Sequence, residues 1–347
     1  MQYPTTATKP FVSVIMSCFN GEMWLSEAIE SILSQTFENF EFILIDDGST
    51  DSTLDLIRHH SNLDKRILVI AKPHTNLSDS LNIGLERASG KWVARLDQDD
   101  LSMPERLSEQ VSYVLDHPDV VLLGSSFISI DGDDRIIKAH HYPKNHGRLT
   151  ANLEHLKKFF PHSTAFFNLN LAKYLGGYRS LLNNANDHDL WLRLASHGNL
   201  ACLSKPLVKC RFHPRQMSVV GGREPQLIEA VAGSLCHFIR KSGCQDPLED
   251  CNPNRVSEFL EFVECRVRKS GFIQRRHAWK EAREAYFRRH NALLGLLSFF
   301  GVLMVSGNML LLIWEKYVWS SLPKKLSKIW IRKTRRRHPS QRAERSL

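Results

Sequence analysis

Phe11-Val-Ser-Val-Ile-Met-Ser17 is a short, β-branched apolar run bounded by polar residues, and such a run predicts a buried strand. The segments after it decide the fold. Within residues 22–35 the apolar positions Leu25, Ala28, Ile29, Ile32 and Leu33 share one helical stripe, suited to packing on a sheet. A second strand, Glu41-Phe-Ile-Leu-Ile45, ends at Asp46-Asp47-Gly48-Ser49, and Thr50 or Asp51 can cap a helix running to about residue 60. Strand 67–71, helix 78–88, the stop Ser89-Gly90 and strand 92–96 complete a β-α-β-α-β-α-β order. That order predicts an α/β fold with a doubly wound, mostly parallel sheet. Pro104 opens another helix to about residue 116, and residues 120–130 read as a further strand. Beyond it the periodicity weakens into loops around a helix at 187–197 and a strand at 207–212. Gly221-Gly222 marks the expected boundary between a domain over 1–220 and a helical, basic region over 221–347.

Two acidic clusters fall where strands end, which is where such sheets place their ligands. Arg95-Leu-Asp97-Gln-Asp99-Asp100 sets three carboxylates in four positions, an arrangement that repels itself unless a cation or hydrogen bonds compensate. Hard divalent cations take carboxylate oxygens and leave positions open for phosphate. An isolated Asp-x-Asp is better explained as a solvated loop ahead of a helix, so context has to decide.

The net charge of +9 suggests an anionic partner until its position is read. Residues 271–347 hold 17 Lys and Arg against four Glu, a surplus larger than that of the whole chain, so the body is mildly acidic and the tail strongly basic. Seven scattered cysteines, odd in number and with no Cys-x-x-Cys pair, argue against a disulfide framework and a thiolate zinc site and suit a reducing compartment. The N-terminus lacks the charged start and apolar run of a secretory signal, so export by that route is not expected. G-x-x-x-x-G-K-[ST] and G-x-G-x-x-G are both absent, which removes the fingerprints of a P-loop ATPase and of a dinucleotide oxidoreductase.

Context comes from an ordered set of short motifs. Ser17-Cys-Phe-Asn20, Glu22, Ser31-Ile-Leu-Ser-Gln35, Asp46-Asp-Gly-Ser-Thr-Asp51, Asn82-Ile-Gly84, Leu96-Asp97-Gln-Asp99-Asp100 and Pro104-Glu-Arg106 come in the order and spacing of family 2 glycosyltransferases. His162-Ser-Thr164, Gly176-Gly-Tyr-Arg179 and Asp187-His-Asp189-Leu-Trp-Leu-Arg193 continue it, so the chain resembles that family over roughly residues 10–218. The resemblance implies a GT-A fold and inverting transfer from a nucleoside diphosphate sugar, with UDP as the expected nucleotide. It implies that Ser17, Asn20, Glu22 and Asp47 line the nucleotide pocket and that Asp97 meets the ribose or sugar. Asp99 would hold Mn²⁺ or Mg²⁺, and His213 would touch metal or diphosphate. Asp187 would be the base that deprotonates the acceptor hydroxyl. Several of these residues also have plain structural readings: a turn and cap at 46–49, a helix cap at Asp187, a loop histidine at 213. Arg95 and Arg106 can assist phosphate, although an arginine on a helix more often sits at the surface.

The sequence departs from the family pattern at two places. Asn186 stands where relatives carry Glu before the base, and Asn76 where many carry Gly, a change that a left-handed turn tolerates.

Residues 292–314 form a 23-residue run without charge, interrupted by Ser306-Gly307-Asn308 and flanked on both sides by basic residues. A re-entrant or interfacial segment on anionic lipid, a single span and a buried helix all fit it. Together with the resemblance, the tail predicts a protein at the cytoplasmic face of the inner membrane that acts on a glycan or lipid-linked glycan of a surface polysaccharide. Transfer to a polyprenyl phosphate is the neighbouring possibility. A non-catalytic lipid or nucleic-acid adaptor on the same fold belongs to a different class, but the body shows none of the stacking and readout motifs of a nucleic-acid module, so nucleic acid is not an expected partner.

Overall fold

The computed structural model of the protein describes residues 9–216 and 223–269. Two compact units divide these residues, one ending at Ser234 and the other beginning at Leu235. The expected boundary at 221–222, the apolar run 292–314 and the basic tail all lie outside the described residues.

The first unit is built on a nine-stranded sheet. Its strands are β1 (Val12–Cys18), β2 (Phe40–Asp46), β3 (Ile67–Ala71), β4 (Trp92–Arg95), β5 (Leu101–Ser102), β6 (Val120–Ile130), β7 (Ile136–His140), β8 (Phe166–Asn168) and β9 (Asn199–Arg211). The spatial order is β3-β2-β1-β4-β8-β6-β9-β5, with β7 hydrogen-bonded to β6. The first four strands are mutually parallel, as the alternation with helices requires. The expectation of a mostly parallel sheet fails beyond them: β8 is antiparallel to both β4 and β6, β5 is antiparallel to β9, β7 is antiparallel to β6, and only β6 and β9 restore a parallel pair. The sheet is mixed. The physical cause is β8, three residues that enter between β4 and β6 in the reverse direction and carry too few side chains to show a period.

Helices cover both faces. α1 (Leu25–Leu33), α2 (Thr53–Leu63) and α4 (Arg106–Asp116) pack with Val12, Val14 and Met16 of β1. α3 (Leu77–Arg87), α5 (His146–Glu154), α6 (Leu169–Tyr174) and α7 (Asn186–Leu194) pack with Ile15, on the opposite side of the same strand. The predicted stripe of α1 buries Leu25, Ala28, Ile29 and Ile32, each large side chain contributing roughly 1.5–3 kcal/mol of burial. α3 approaches so closely at Gly84 that a Cβ there would lie 2.6 Å from Ile15 Cγ2 and 3.2 Å from Ile45 Cδ1. Its cap is Asn76, extended at φ −149° and accepting from the Asp79 N–H at 2.9 Å, so no left-handed geometry is needed there.

Helix α8 (Arg223–Lys241) begins in the first unit and ends in the second. Within the second unit, a 3₁₀ turn at Pro247–Glu249 leads to α9 (Pro253–Lys269), and Leu235, Cys236, Ile239, Phe259, Val263 and Val267 are buried. No disulfide joins the cysteines among the described residues. Among the described residues no helix is long and apolar enough to cross a membrane.

Candidate functional site

Parallel register turns the carboxyl ends of three strands to the same edge of the sheet. Cys18 of β1 stands beside Asp46 of β2, and Ile15 stands beside Arg95 of β4, so segments 19–22, 47–53 and 96–100 leave the sheet at one edge. Side chains then tie these segments together. The Gln98 amide accepts from the Phe19 N–H at 2.9 Å and donates to the Phe19 carbonyl at 3.0 Å. Asn20 holds φ at 46°, a left-handed geometry that Asn adopts more easily than most residues, and its side-chain oxygen accepts from the Thr50 N–H at 2.8 Å. The Glu22 carboxylate accepts from the Ser52 N–H at 3.0 Å, at the start of α2.

The expected pocket residues therefore gather at one edge, but they are not equivalent. Ser17 is half-buried on β1, while Asn20 and Glu22 commit side-chain oxygens to the β2 loop. Asp47 is almost wholly enclosed: it pairs with Lys72, lies 3.1 Å from His74 Nδ1 and accepts from the Thr75 N–H at 3.0 Å. The plain reading of 46–49 as a turn is also partly realised, because Asp46 accepts from the Ser49 N–H at 3.3 Å; the N-cap of α2 is Ser52 instead of Thr50 or Asp51, although the Asp51 carboxylate accepts from the Thr53 N–H at 3.0 Å. At the rim, the Phe19 and His74 rings stack with centroids 4.1 Å apart.

The acidic cluster divides its labour. Arg95 is fully buried, and its Nη2 lies 2.5 Å from an Asp97 oxygen, while the Ser163 hydroxyl donates to the other at 2.6 Å. Burial alone would raise the Asp97 carboxyl, but the positive charge of Arg95 and the Ser163 hydrogen bond hold it below the usual range. The Asp97 side chain is still 40% exposed, which leaves it open to a ligand. Nε and Nη1 of Arg95 are buried without a hydrogen-bond partner among the described residues. Asp99 behaves oppositely: burial and the negative charge of Asp97 push its carboxyl up, against the pull of His213. His213 Nε2 lies 2.8 Å from Asp99 Oδ2, and its ring rests against Trp24 at 4.3 Å between centroids. Asp100 is buried, accepts from the Arg211 N–H at 2.8 Å and is raised well above its ordinary value by burial and the charges of Asp99 and Asp97.

Pairing of β5 with β9 creates this meeting, since Leu101 lies opposite Lys209 and the strand then delivers Arg211 and His213. Arg211 clamps the cluster from behind, donating to the Asp99 carbonyl at 3.1 Å and to Asp134 at 2.6 Å. Arg106, expected at the surface, is fully buried beneath β4 instead, where it donates to the Arg95 and Ala165 carbonyls at 2.7 and 3.2 Å. Burial pulls its guanidinium down to about 9. It is a strut, and it cannot reach phosphate.

Asp187 lies in the first turn of α7, whose N-cap is Ala185, so the carboxylate is not the cap itself. Its oxygen accepts from the adjacent His188 N–H at 2.7 Å. Burial raises the Asp187 carboxyl, which also senses the negative charge of Asp97 and the positive charge of Arg95. Asn186, where a Glu was expected, donates to the Ser78 hydroxyl at 2.9 Å, and that hydroxyl donates to Asn183 at 3.1 Å. A carboxylate could not make the donating contact. Close by, His162 contacts the Tyr178 hydroxyl at 2.9 Å and is driven to about 3 by burial and the Arg95 charge, so it is neutral. Two residues past Asp187, Asp189 is wholly buried and takes 2.7–3.2 Å contacts from Arg193 and Arg179, a structural ion triad.

Could the site hold a cation? Among the described residues no group of three or more His, Cys, Asp or Glu is arranged as a metal site. The pair Asp99–His213 is one carboxylate and one imidazole nitrogen, and Asp99 carries negative charge that its surroundings disfavour. A hard cation that takes most of its oxygens from a bound diphosphate needs only one or two protein ligands, and this donor set fits that case.

A family model described as Glycosyl transferase family 2 matches residues 13–176. An uncharacterized glycosyltransferase of Haemophilus influenzae is 34% identical over 227 residues, covering 62% of this chain and 69% of its own length. The O-antigen biosynthesis glycosyltransferase WbnJ of Escherichia coli is 31% identical over 240 residues, covering 66% of this chain and 89% of its own. Among solved structures, S. aureus TarS 1-349 in complex with UDP-GlcNAc superposes with a TM-score of 0.55 at 19% identity, over 66% of each chain. The mannosyltransferase PcManGT from Pyrobaculum calidifontis, in complex with GDP-Man and Mn2+, does so with a TM-score of 0.51 at 17% identity, over 91% of this chain and 89% of that one.

Proposed function

This chain belongs to glycosyl transferase family 2 and has its GT-A-like α/β fold, and we propose that it moves a sugar from a nucleoside diphosphate sugar to a hydroxyl of a lipid-linked glycan, with inversion, in surface-polysaccharide synthesis. The observation that carries this reading is the meeting of Asp99 with His213 beside an Asp97 held by Arg95 and Ser163, at the carboxyl edge of the sheet.

In this reading Ser17, Asn20, Glu22 and Asp47 shape the nucleotide end, and the Phe19–His74 stack offers it an apolar wall. Asp97, kept ionised by Arg95, accepts from the ribose or sugar hydroxyls. Asp99 and His213 would hold Mn²⁺ or Mg²⁺, which when bound offsets charge on the departing diphosphate. The solved mannosyltransferase complex with GDP-Man and Mn2+ and the TarS complex with UDP-GlcNAc support this choice of donor class and ion. Asp187 takes the proton of the acceptor hydroxyl, and its raised affinity for that proton suits a general base better than an ordinary aspartate would. The O-antigen name of the E. coli relative supports a polysaccharide acceptor, and the basic tail in the sequence supports work at an anionic cytoplasmic membrane face.

The test is a panel of nucleotide sugars offered to the full chain with Mn²⁺ or Mg²⁺, with released nucleotide measured. One donor should stand out and chelator should abolish its turnover. Equal rates with and without chelator would remove the cation from this account, and no release from any donor would remove the transfer.

A further inference from the structure

We infer that Glu229, on helix α8 and well beyond the stretch matched by the family model, is the positioning residue that aims Asp187. Its carboxylate accepts from the Asn184 N–H and the Asn184 side-chain amide, both at 2.6 Å, and from the Ala185 N–H at 3.2 Å. These groups form the turn immediately before Asp187, and Ala185 is the N-cap of α7. Ala185 has no side chain with which to cap, and its N–H is shared between the Leu182 carbonyl at 3.0 Å and the Glu229 carboxylate, so another element braces the entry to the helix. A carboxylate there also suits the positive end of the helix dipole.

A second contact fixes the same two helices. The ring of His188 lies 2.9 Å from the Ser234 hydroxyl, and Gly233 comes so near that an added Cβ would meet Asp189 Cβ at 3.3 Å. Burial pushes the Glu229 carboxyl upward, and the three donors counter that push in part. The inference therefore extends the catalytic unit into α8, and it gives this chain an acidic group at the start of α7 although position 186 carries Asn. It rests on the reading of Asp187 as the base.

The experiment uses the full chain with whichever nucleotide sugar of the panel turns over fastest, and compares Glu229→Gln, Glu229→Ala, Asp187→Asn and the pair Glu229→Gln with Asp187→Asn. A positioning role predicts that Glu229→Gln lowers kcat by about 10–100-fold with KM for the donor within about twofold, because displacement of a reacting group by about an ångström costs that much. It also predicts that the double variant is no slower than Asp187→Asn alone, since a base already lost cannot be misplaced. Amide exchange at Asn184 and Ala185 should accelerate in both Glu229 variants. Glu229→Gln at parental kcat, with Asp187→Asn inactive, would overturn the inference and leave the base reading standing. A substantial kcat in Asp187→Asn would overturn the base reading itself. A loss in Glu229→Gln that multiplies with that of Asp187→Asn, or that raises KM equally, would make Glu229 a purely structural residue and likewise overturn the inference.

Discussion

His213 Nε2 and Asp99 Oδ2 stand 2.8 Å apart although 114 residues separate them in the chain. Asp99 comes from the loop after β4 and His213 from just past β9, and the two-residue strand β5 closes the gap. The pair makes the candidate cation site a property of the tertiary fold.

Asp99→Ala should lower metal-stimulated nucleotide release by about 10³-fold or more, while His213→Ala lowers it by roughly 10–100-fold, as expected when one of two ligands and its partner are lost unequally. Steady-state release against Mn²⁺ concentration checks both. A His213→Ala variant with unchanged Mn²⁺ dependence would exclude the imidazole from the site.

The acid limb of the rate profile should lie above the ordinary aspartate value of about 3.9, because burial raises the Asp187 carboxyl and only its ionised form takes a proton. Activity should fall as pH drops through that raised value. A pH profile of kcat/KM between about 4 and 8 measures it, and a limb at or below the ordinary value contradicts the assignment.

Stability should respond to pH with the sign set by Asp99 and Asp100. Both have folded values raised above the unfolded one, so the native state holds more protons between the two values and stability declines as pH rises through that window. Mn²⁺ competes with protons at Asp99, so its stabilising effect on thermal unfolding should grow from about pH 4.5 to pH 7 and vanish in Asp99→Ala. An equal Mn²⁺ effect at both pH values would count against a carboxylate ligand.

Asp187 and Asp189 share a helix turn and should separate completely. Asp189→Ala leaves Arg193, 3% exposed, without its carboxylate, and should cost about 3–5 kcal/mol in urea unfolding. Asp187→Asn should cost less than about 1 kcal/mol, since the hydrogen bond it accepts comes from a neighbouring N–H that an amide oxygen can also serve.

Gly84→Ala sets two effects against each other. Alanine favours the helix by about 1 kcal/mol, but its Cβ would sit 2.6 Å from Ile15 Cγ2 and close to Ile45, where overpacking costs about 1–3 kcal/mol. Net destabilisation, with donor turnover per folded molecule unchanged, is the expected result of chemical denaturation.

Much of this architecture was legible in the residues. Strands 67–71 and 120–130 form with the bounds their apolar runs predict, and the stripe Leu25, Ala28, Ile29, Ile32 is the buried face of α1. Those elements announce themselves because their whole length repeats one period. β5 and β8 are two and three residues long and have no period to show, so the antiparallel insertion that makes the sheet mixed stayed hidden. Within the site, Asp97 and Asp99 are visible from their spacing behind a strand. The burial of Arg106 is not, since a charged residue on an amphipathic helix carries no sign of the two carbonyls waiting for it. Glu229 was hidden for another reason: it lies 45 residues from the turn it holds, in a segment that reads only as a basic helical region.

The long parallel pairing of β6 with β9 also orders events in time. A chain leaving the ribosome can lay down β1 to β4 and their helices early, but the partners that hold Asp97, Asp99 and Asp100, which are Ser163, His213 and Arg211, are made later. His213 becomes available only after β9 has been synthesised and has found β6 across the intervening α5, β8, α6 and α7. In the proposed assignment, ion capture would therefore wait on the last strand of the sheet.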